Sequence, residues 1–228
     1  MVQDSQTSTS DVFANIYVNN VWGGNAGEFF SGKGSNEIFA IPYSQLIANF
    51  IVEKQLNPIK IVDLGCGDFR VGQQLLQALE NVQIKYQYTG IDIVPQLIET
   101  HRQKFANAQV EFLCIDAIES DLPPGDICLI RQVLQHLSNE HINNILAKIS
   151  QYNYVFVTES YPENLEDTVP NIDISTGAEI RLEKNSAVFL DQPPFNVHNV
   201  ELLLTLPYPE ENPLYGKHSQ LCTFKIEN

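Results

Sequence analysis

Between residues 60 and 158, short β-branched runs alternate with longer amphipathic stretches, and this alternation constrains the fold more than any other feature. Residues 60–64 (KIVDL), 86–93 (YQYTGIDI), 110–115 (VEFLCI), 126–130 (DICLI) and 154–158 (YVFVT) read as strands. Residues 71–79, 95–105 and 138–149 read as the helices between them. Pro95 suits a first helical turn, where its missing N–H has no partner to lose. Ser138 is a good N-cap, with Glu140 in the first turn facing the positive end of the helix dipole. Parallel neighbours require a crossover, and a helix supplies it. The pattern therefore predicts an α/β, three-layer sandwich around a mostly parallel sheet.

The flanks follow different rules. The first ten or so residues are polar and expected to be loose, and residues 22–35 (WGGNAGEFFSGKGS) are glycine-rich. Residues 36–56 predict a helix capped by Ser35 or Asn36, with Pro42 bending or restarting it. Residues 161–198 are too long and polar for a simple connection and predict a substrate-side insert. Residues 200–206 and 220–226 predict an antiparallel C-terminal hairpin closing the sheet edge across a Pro-rich turn, which brings the sheet to seven strands. No repeat or low-complexity linker divides these units. A single domain over 1–228 is expected, with 1–35 as a flexible or lid segment.

Composition narrows the partners. Hydrophobic residues at 43% against 18% charged suffice for a core, which excludes a disordered chain. With 28 acidic and 13 basic residues the net charge is -15, ill suited to tracking phosphates or docking on anionic lipid. No stretch reaches the roughly 18 apolar residues of a membrane span, and the polar start (MVQDSQTSTSD) lacks an apolar signal core. Cys66, Cys114, Cys128 and Cys222 form no CxxC pair, and three sit in apolar runs. They read as buried free thiols, not a metal site. A cytoplasmic protein acting on a small molecule is expected, with no nucleic acid and no membrane partner.

The chemistry concentrates in KIVDLGCGD, residues 60–68. A strand running into Gly65-Cys66-Gly67 brings bare backbone to the carboxyl edge of the sheet, where α/β proteins bind ligands. The dinucleotide fingerprint would need glycine at position 70, where Arg70 stands, so an NAD or FAD cradle is incomplete. Asp63, Asp92 and Asp116 close three consecutive strands. Such carboxylates accept hydrogen bonds from a ligand's hydroxyl and amino groups, or else cap the helix or turn that follows. Residues 27–34 (GEFFSGKG) nearly spell a P-loop, but Gly34 stands where the Mg²⁺-binding hydroxyl belongs and no apolar strand precedes the loop.

The ordered series VDLGCGD, GID, CIDA and LIRQVLQHL resembles the motifs of class I, Rossmann-like S-adenosylmethionine-dependent methyltransferases across residues 59–159. The resemblance implies a Rossmann-like methyltransferase fold with S-adenosyl-L-methionine as cofactor. It places Asp63, Gly65, Cys66 and Gly67 at the methionine moiety, Asp92 and Ile93 at the ribose, Asp116 and Ala117 at the adenine, and Arg131 beside the reacting methyl. Phe69 departs from the family, which often carries a third glycine there. The implied reaction is methyl transfer to a small molecule, O- or N-directed, such as a sugar or another hydroxylated metabolite. A non-catalytic nucleoside-binding module and an NAD-dependent oxidoreductase are the competing readings.

A hydroxyl or amine nucleophile must also lose a proton. His136, after strand four, and Glu159, at the end of strand five, are the candidate bases, His136 reading equally as a packing or capping residue. The backbone N–H groups of SGKGS and the Lys33 ammonium are candidates to meet the methionine carboxylate, or the segment is a surface loop. Tyr17, Trp22, Phe29 and Phe30 either cover the pocket or pack on the core. In the insert, Asn171, Asp173, Gly177 and Arg181 suit a hydroxylated ligand, or equally a bonded loop with none. Residues 191–195 (DQPPF) resemble the box that amino-group methyltransferases carry directly after strand four. Here they follow strand five and read as a wall of the substrate pocket. No histidine pair has ligand spacing, so no metal is expected.

Overall fold

The computed structural model describes residues 8–209 and 218–228. The start of the polar N-terminus and most of the Pro-containing turn between the last two strands lie outside the described residues.

Five strands, β1 (Ile59–Leu64), β2 (Tyr86–Asp92), β3 (Val110–Cys114), β4 (Ile127–Arg131) and β5 (Tyr154–Pro162), pair in parallel. The last two, β6 (Val200–Pro207) and β7 (Ser219–Glu227), run antiparallel, and β7 inserts between β5 and β6. The order is β3-β2-β1-β4-β5-β7-β6. The order reverses between β1 and β4, and the carboxyl ends at that switch point form the ligand crevice of doubly wound sheets.

The strand interiors explain the parallel pairing. In β1, Ile59 and Ile61 face one side while Val62 and Leu64 face the other, and all four are buried. Side chains alternate across a strand, so Asp63 shares the face of Ile59 and Ile61. That face is covered by α1 (Thr9–Val18), α2 (Glu37–Glu53), α3 (Arg70–Asn81) and α4 (Pro95–Phe105). The other is covered by α5 (Asn139–Leu146) and the segments around Ile118, Leu134 and Val188. Thus the expected flexible N-terminal segment is, from Thr9 on, a helix capped by the Ser8 side chain. It buries Ile16 and Tyr17. Its apolar positions were masked in the sequence by the polar run before them. Pro42 lies inside α2 without ending it. Ser138 caps α5 by accepting from the His141 N–H. Among the described residues, no helix is long and apolar enough to cross a membrane.

Phe69 explains its own departure from the glycine expected there. It adopts the left-handed region, φ +64°, at the N-cap of α3. Its ring is 2% exposed and packs within 6 Å of Tyr88, His101, Phe105 and Phe112. Gly72 makes room, since a Cβ there would stand 2.5 Å from the ring. The packing outweighs the backbone strain of roughly 1–2 kcal/mol. Phe69→Gly should therefore destabilise the protein by about 2–4 kcal/mol in a urea titration, because the lost ring exceeds the relieved strain. A neutral or stabilising outcome would show that the strain dominates.

Candidate functional site

The turn after β1 begins the site. The N–H groups of Gly65 and Cys66 both donate to the Ile91 carbonyl at 2.9 Å, which folds the chain back over the end of β2. Gly65 has φ +73° and Gly67 φ +51°. A Cβ on Gly65 would lie 2.4 Å from Val133 Cγ2, and one on Gly67 would lie 2.3 Å from Ser31 Oγ. Both glycines are thus required by conformation and by crowding. His101, on α4, steadies the turn with its Nε2 2.7 Å from the Gly67 carbonyl.

The carboxyl edge opens into one cleft. It is lined by the glycine turn, by Asp63, Asp92, Ile93, Asp116 and Ala117, and by Arg131. All the residues expected at the cofactor, Lys33 excepted, therefore come together. Asp63 is 8% exposed and accepts a hydrogen bond from the Tyr88 hydroxyl. Asp92 accepts from the N–H groups of Gly67 (3.2 Å) and Val94 (3.1 Å). Burial pushes the pKa of both up to about 6. Asp116 accepts from the Ile118 N–H at 2.9 Å. Each of Asp92 and Asp116 therefore bonds a neighbouring turn while it lines the cleft, so the capping role and the lining role coexist. Lys148, which no motif signalled, donates to the carbonyls of Ala117, Ile118 and Ser120 and pins the loop after Asp116.

Arg131 reaches across the cleft wall. Its Nη2 donates to the Gly34 carbonyl at 2.6 Å, and its guanidinium lies 5.2 Å from the Tyr43 ring centroid. Its Nε is buried with no partner. Burial lowers its pKa, opposed by the charges nearby.

The N-terminal segment closes the cleft from above. Ser31 and Asp68 exchange two bonds: the Ser31 N–H donates to Asp68 Oδ2 (3.0 Å), and the Asp68 N–H to Ser31 Oγ (2.8 Å). Tyr17 and Trp22 pack edge to face at 5.4 Å and both line the cleft. Two N–H groups of the expected anion nest are engaged within the protein. The Ser31 N–H is taken by Asp68 and the Ser35 N–H by the Gly32 carbonyl. Lys33 lines a smaller recess beside the cleft instead of the cleft itself. Asp68 was visible in the sequence as the acid between the glycine pair and α3, but nothing local named Ser31 as its partner.

His136 lies where cleft and recess meet, as do Trp22, Ser31 and Gln132. It is 8% exposed, its ring centroid is 4.8 Å from that of Trp22, and its Nδ1 has no partner. Burial lowers its pKa to about 4. Glu159 does not face the cleft, contrary to expectation. It is 1% exposed, lines neither cavity, and accepts from the N–H groups of Val133, Leu134 and Gln135. A strand longer than expected, running to Pro162, carries it past the crevice and under the turn after β4. Burial pushes its pKa up to about 8 against the pull of those donors.

The insert turns inward upon the protein. Asn171 bonds Phe189 and Pro193, Asp173 accepts from the Asn139 N–H, and the Gly177 N–H donates to the His136 carbonyl. Arg181 is 1% exposed. None of these residues lines the cleft or the recess, and neither does any residue of DQPPF. Of the two readings of the insert, the bonded loop is the one formed.

Gln132 was missed by sequence reasoning. It follows β4 in the left-handed region, φ +55°, and its amide donates to Ser160 Oγ (3.3 Å) and the Tyr208 hydroxyl (3.4 Å). A Cβ on Gly34 would stand 1.7 Å from Gln132 Oε1. Gly34→Ala should cost about 1–3 kcal/mol of stability by overpacking. In Gly34→Ala/Gln132→Ala most of that cost should vanish, a coupling readable in a double-mutant cycle by denaturant unfolding. Additive effects would mean that the two residues do not touch.

With this geometry in place, similarity to known proteins becomes informative. Residues 61–152 match the family described as a methyltransferase domain. A stretch of 64 residues is 38% identical to a malonyl-[acyl-carrier protein] O-methyltransferase of Acetivibrio thermocellus. That stretch is 28% of this chain and spans only about a fifth (21%) of the relative's length. The fold is similar to that of the N-methyltransferase NodS from Bradyrhizobium japonicum WM9, in complex with S-adenosylhomocysteine, with TM-score 0.55 and 12% identity over 85% of this chain and 89% of that one. It is also similar to the [4+2]-cyclase SpnF, with TM-score 0.54 and 16% identity over 97% and 96%. Residues 61–152 thus match a methyltransferase domain, set in a chain with the Rossmann-like methyltransferase fold.

Proposed function

We propose that the cleft binds S-adenosylmethionine and that the chain transfers its methyl group to a small-molecule acceptor entering through the recess. The observation that carries this reading is the convergence of Asp63, Asp92 and Asp116 around one glycine turn in a single cleft. The residues present fit the cofactor: Arg131 Nε is a buried donor without an acceptor, and a methionine carboxylate is one. Asp63 and Asp92, held at about 6, gain when a ligand ammonium or hydroxyl donates to them. In this assignment Asp92, beside Ile93, accepts from the ribose hydroxyls, and Asp116 with Ala117 borders the adenine. Gly65, Cys66, Gly67 and Asp63 border the methionine moiety.

When bound, the cofactor supplies an electrophilic methyl group. The protein aligns a nucleophile with it and keeps out water. Tyr17 and Trp22 perform the exclusion, and Ser31 and Asp68 hold them closed. His136 stands at the junction as the proton acceptor. An imidazole lowered to about 4 is neutral at pH 7 and is a weak base. It suits an acceptor that arrives as its own nucleophile, such as an unprotonated nitrogen or a carboxylate, better than a sugar hydroxyl. The commitment of Asn171, Asp173 and Arg181 to the fold also removes the support for a sugar. The alternative reading is a protein that binds the cofactor without transferring its methyl group; the [4+2]-cyclase shares the fold alone.

Isothermal titration should detect S-adenosylhomocysteine binding, and its absence at millimolar ligand would falsify the reading. Turnover of labelled S-adenosylmethionine across amine, carboxylate and hydroxyl acceptors separates the enzyme from the binding protein. Asp92→Ala should weaken binding by about 1.5–3 kcal/mol, the scale of hydrogen bonds to a charged group. Ionised carboxylates accept more strongly than carboxylic acids, so affinity should fall as pH drops through about 6. Asp92→Asn should leave only the part of that dependence belonging to Asp63. An unchanged profile in the variant would move the titrating group elsewhere.

A further inference from the structure

His136 belongs to a single 3-10 turn, Leu134–His136, with a buried carboxyl group at its start and a buried guanidinium at its end. Below its start, Glu159 Oε1 accepts from the N–H groups of Val133 (3.2 Å) and Leu134 (2.9 Å), and Oε2 from that of Gln135 (3.2 Å). Beyond its end, Arg181 Nη1 donates to the carbonyls of Leu134 (3.2 Å) and Gln135 (3.4 Å). Its Nη2 donates to the Leu137 carbonyl and Asn139 Oδ1, both at 2.8 Å, and its Nε to the Ile172 carbonyl at 2.9 Å. The two side chains come from different elements, Glu159 from β5 and Arg181 from the insert, and each is 1% exposed.

An acceptor group stands at the N–H groups that open the turn and a cation at the carbonyls that close it, as the peptide dipoles of a turn demand. One turn has too few internal bonds to hold its own shape. Nothing so costly to bury is needed merely to fill space at these positions, since apolar residues would do that at no charge penalty. What the turn carries is the site: His136 lies against Trp22 at one end, and Val133 abuts Gly65 at the other.

We infer that Glu159 and Arg181 are a pair of positioning residues that clamp the turn after β4 from its two ends, setting His136 against Trp22 and Val133 against the glycine turn. Arg181 and Glu159 thereby shape the site without lining either the cleft or the recess. Arg181 is the bond between the insert and the turn, and the insert residues Asp173 and Thr176 reinforce it at Asn139, Ser138 and His141. The catalytic meaning of the clamp rests on the methyl-transfer reading above; its mechanical meaning does not.

Trp22 is the only tryptophan of the chain, so intrinsic fluorescence reads the His136 contact directly. Arg181→Lys keeps the charge but cannot span five acceptors, and Glu159→Gln keeps the shape but places an NH₂ group against N–H donors. Both variants, well below their melting temperatures, should show red-shifted Trp22 emission and readier quenching by acrylamide. Both should bind S-adenosylhomocysteine roughly tenfold more weakly, a loss of about 1.4 kcal/mol. Methylguanidinium added to Arg181→Ala should restore the emission. Leu79→Ala, a core truncation on α3 outside the site, should lower stability while leaving the emission unchanged. A folded Glu159→Gln or Arg181→Lys protein with wild-type emission and affinity overturns the clamp, as does the same red shift in Leu79→Ala. If the Arg181 variants do not fold, Glu159→Gln decides alone. Wild-type protein that fails to bind S-adenosylhomocysteine overturns the functional reading instead, and the fluorescence arm still tests the clamp.

Discussion

The structure hangs on a place where no side chain fits. Val133 and Ser31 crowd the two glycines after β1 so closely that a Cβ on either would collide. Each neighbour belongs to a different part of the chain, Val133 to the turn after β4 and Ser31 to the segment that leads into α2. The glycine turn is therefore the meeting point of three segments distant in sequence. Gly65 and Cys66 both donate to Ile91, which ties that point to the end of β2 and brings Asp92 to the Gly67 N–H. A cleft formed by strand ends alone would be shallow, and these contacts are what give it walls and a roof.

The walls put charge where it is costly. Asp63 is a buried acid and Asp92 a half-buried one, both with a raised pKa, and Arg131 is a half-buried cation whose Nε is buried without a partner. A folded chain carries such groups at a cost in stability, and that cost concentrates at functional sites. Glu159 is different in kind. It is more deeply buried than any of them, and its partners are three backbone N–H groups of one turn. Asp63, Asp92 and Arg131 line the cleft and Glu159 does not. That contrast separates residues facing a ligand from residues facing the fold better than their position at strand ends does.

Sequence made the strand-helix alternation legible because parallel strands buried on both faces leave continuous apolar runs, and β1 to β5 and the helices between them fall within a few residues of expectation. The strand-end acids were legible for a related reason, since an acid that breaks an apolar run stands out. Contacts between distant segments left no such trace. Ser31 meets Asp68, Arg181 meets the turn after β4, and Lys148 meets the loop after Asp116, each through backbone atoms that any residue would present. Glu159 misled for a geometric reason: β5 continues four residues past Thr158, so the strand end is not where the apolar run ends.

Helix α1 sharpens the same point. Its polar preface suggested a loose tail, but Phe13 and Tyr17, four residues apart, share one face and pack on the core beside the glycine turn. Tyr17 then contacts Ser31, which contacts Asp68, which precedes α3. A helix outside the matched domain thus closes a site whose acids and glycines lie inside it. The motif series identifies the edge of the sheet where a ligand is met, while the roof and the clamp come from segments that no motif covers. In the proposed reading those segments share in acceptor choice, because Trp22, Lys33, Ile180 and Tyr208 border the recess beside Gln132, Gln135 and His136 and lie outside residues 61–152.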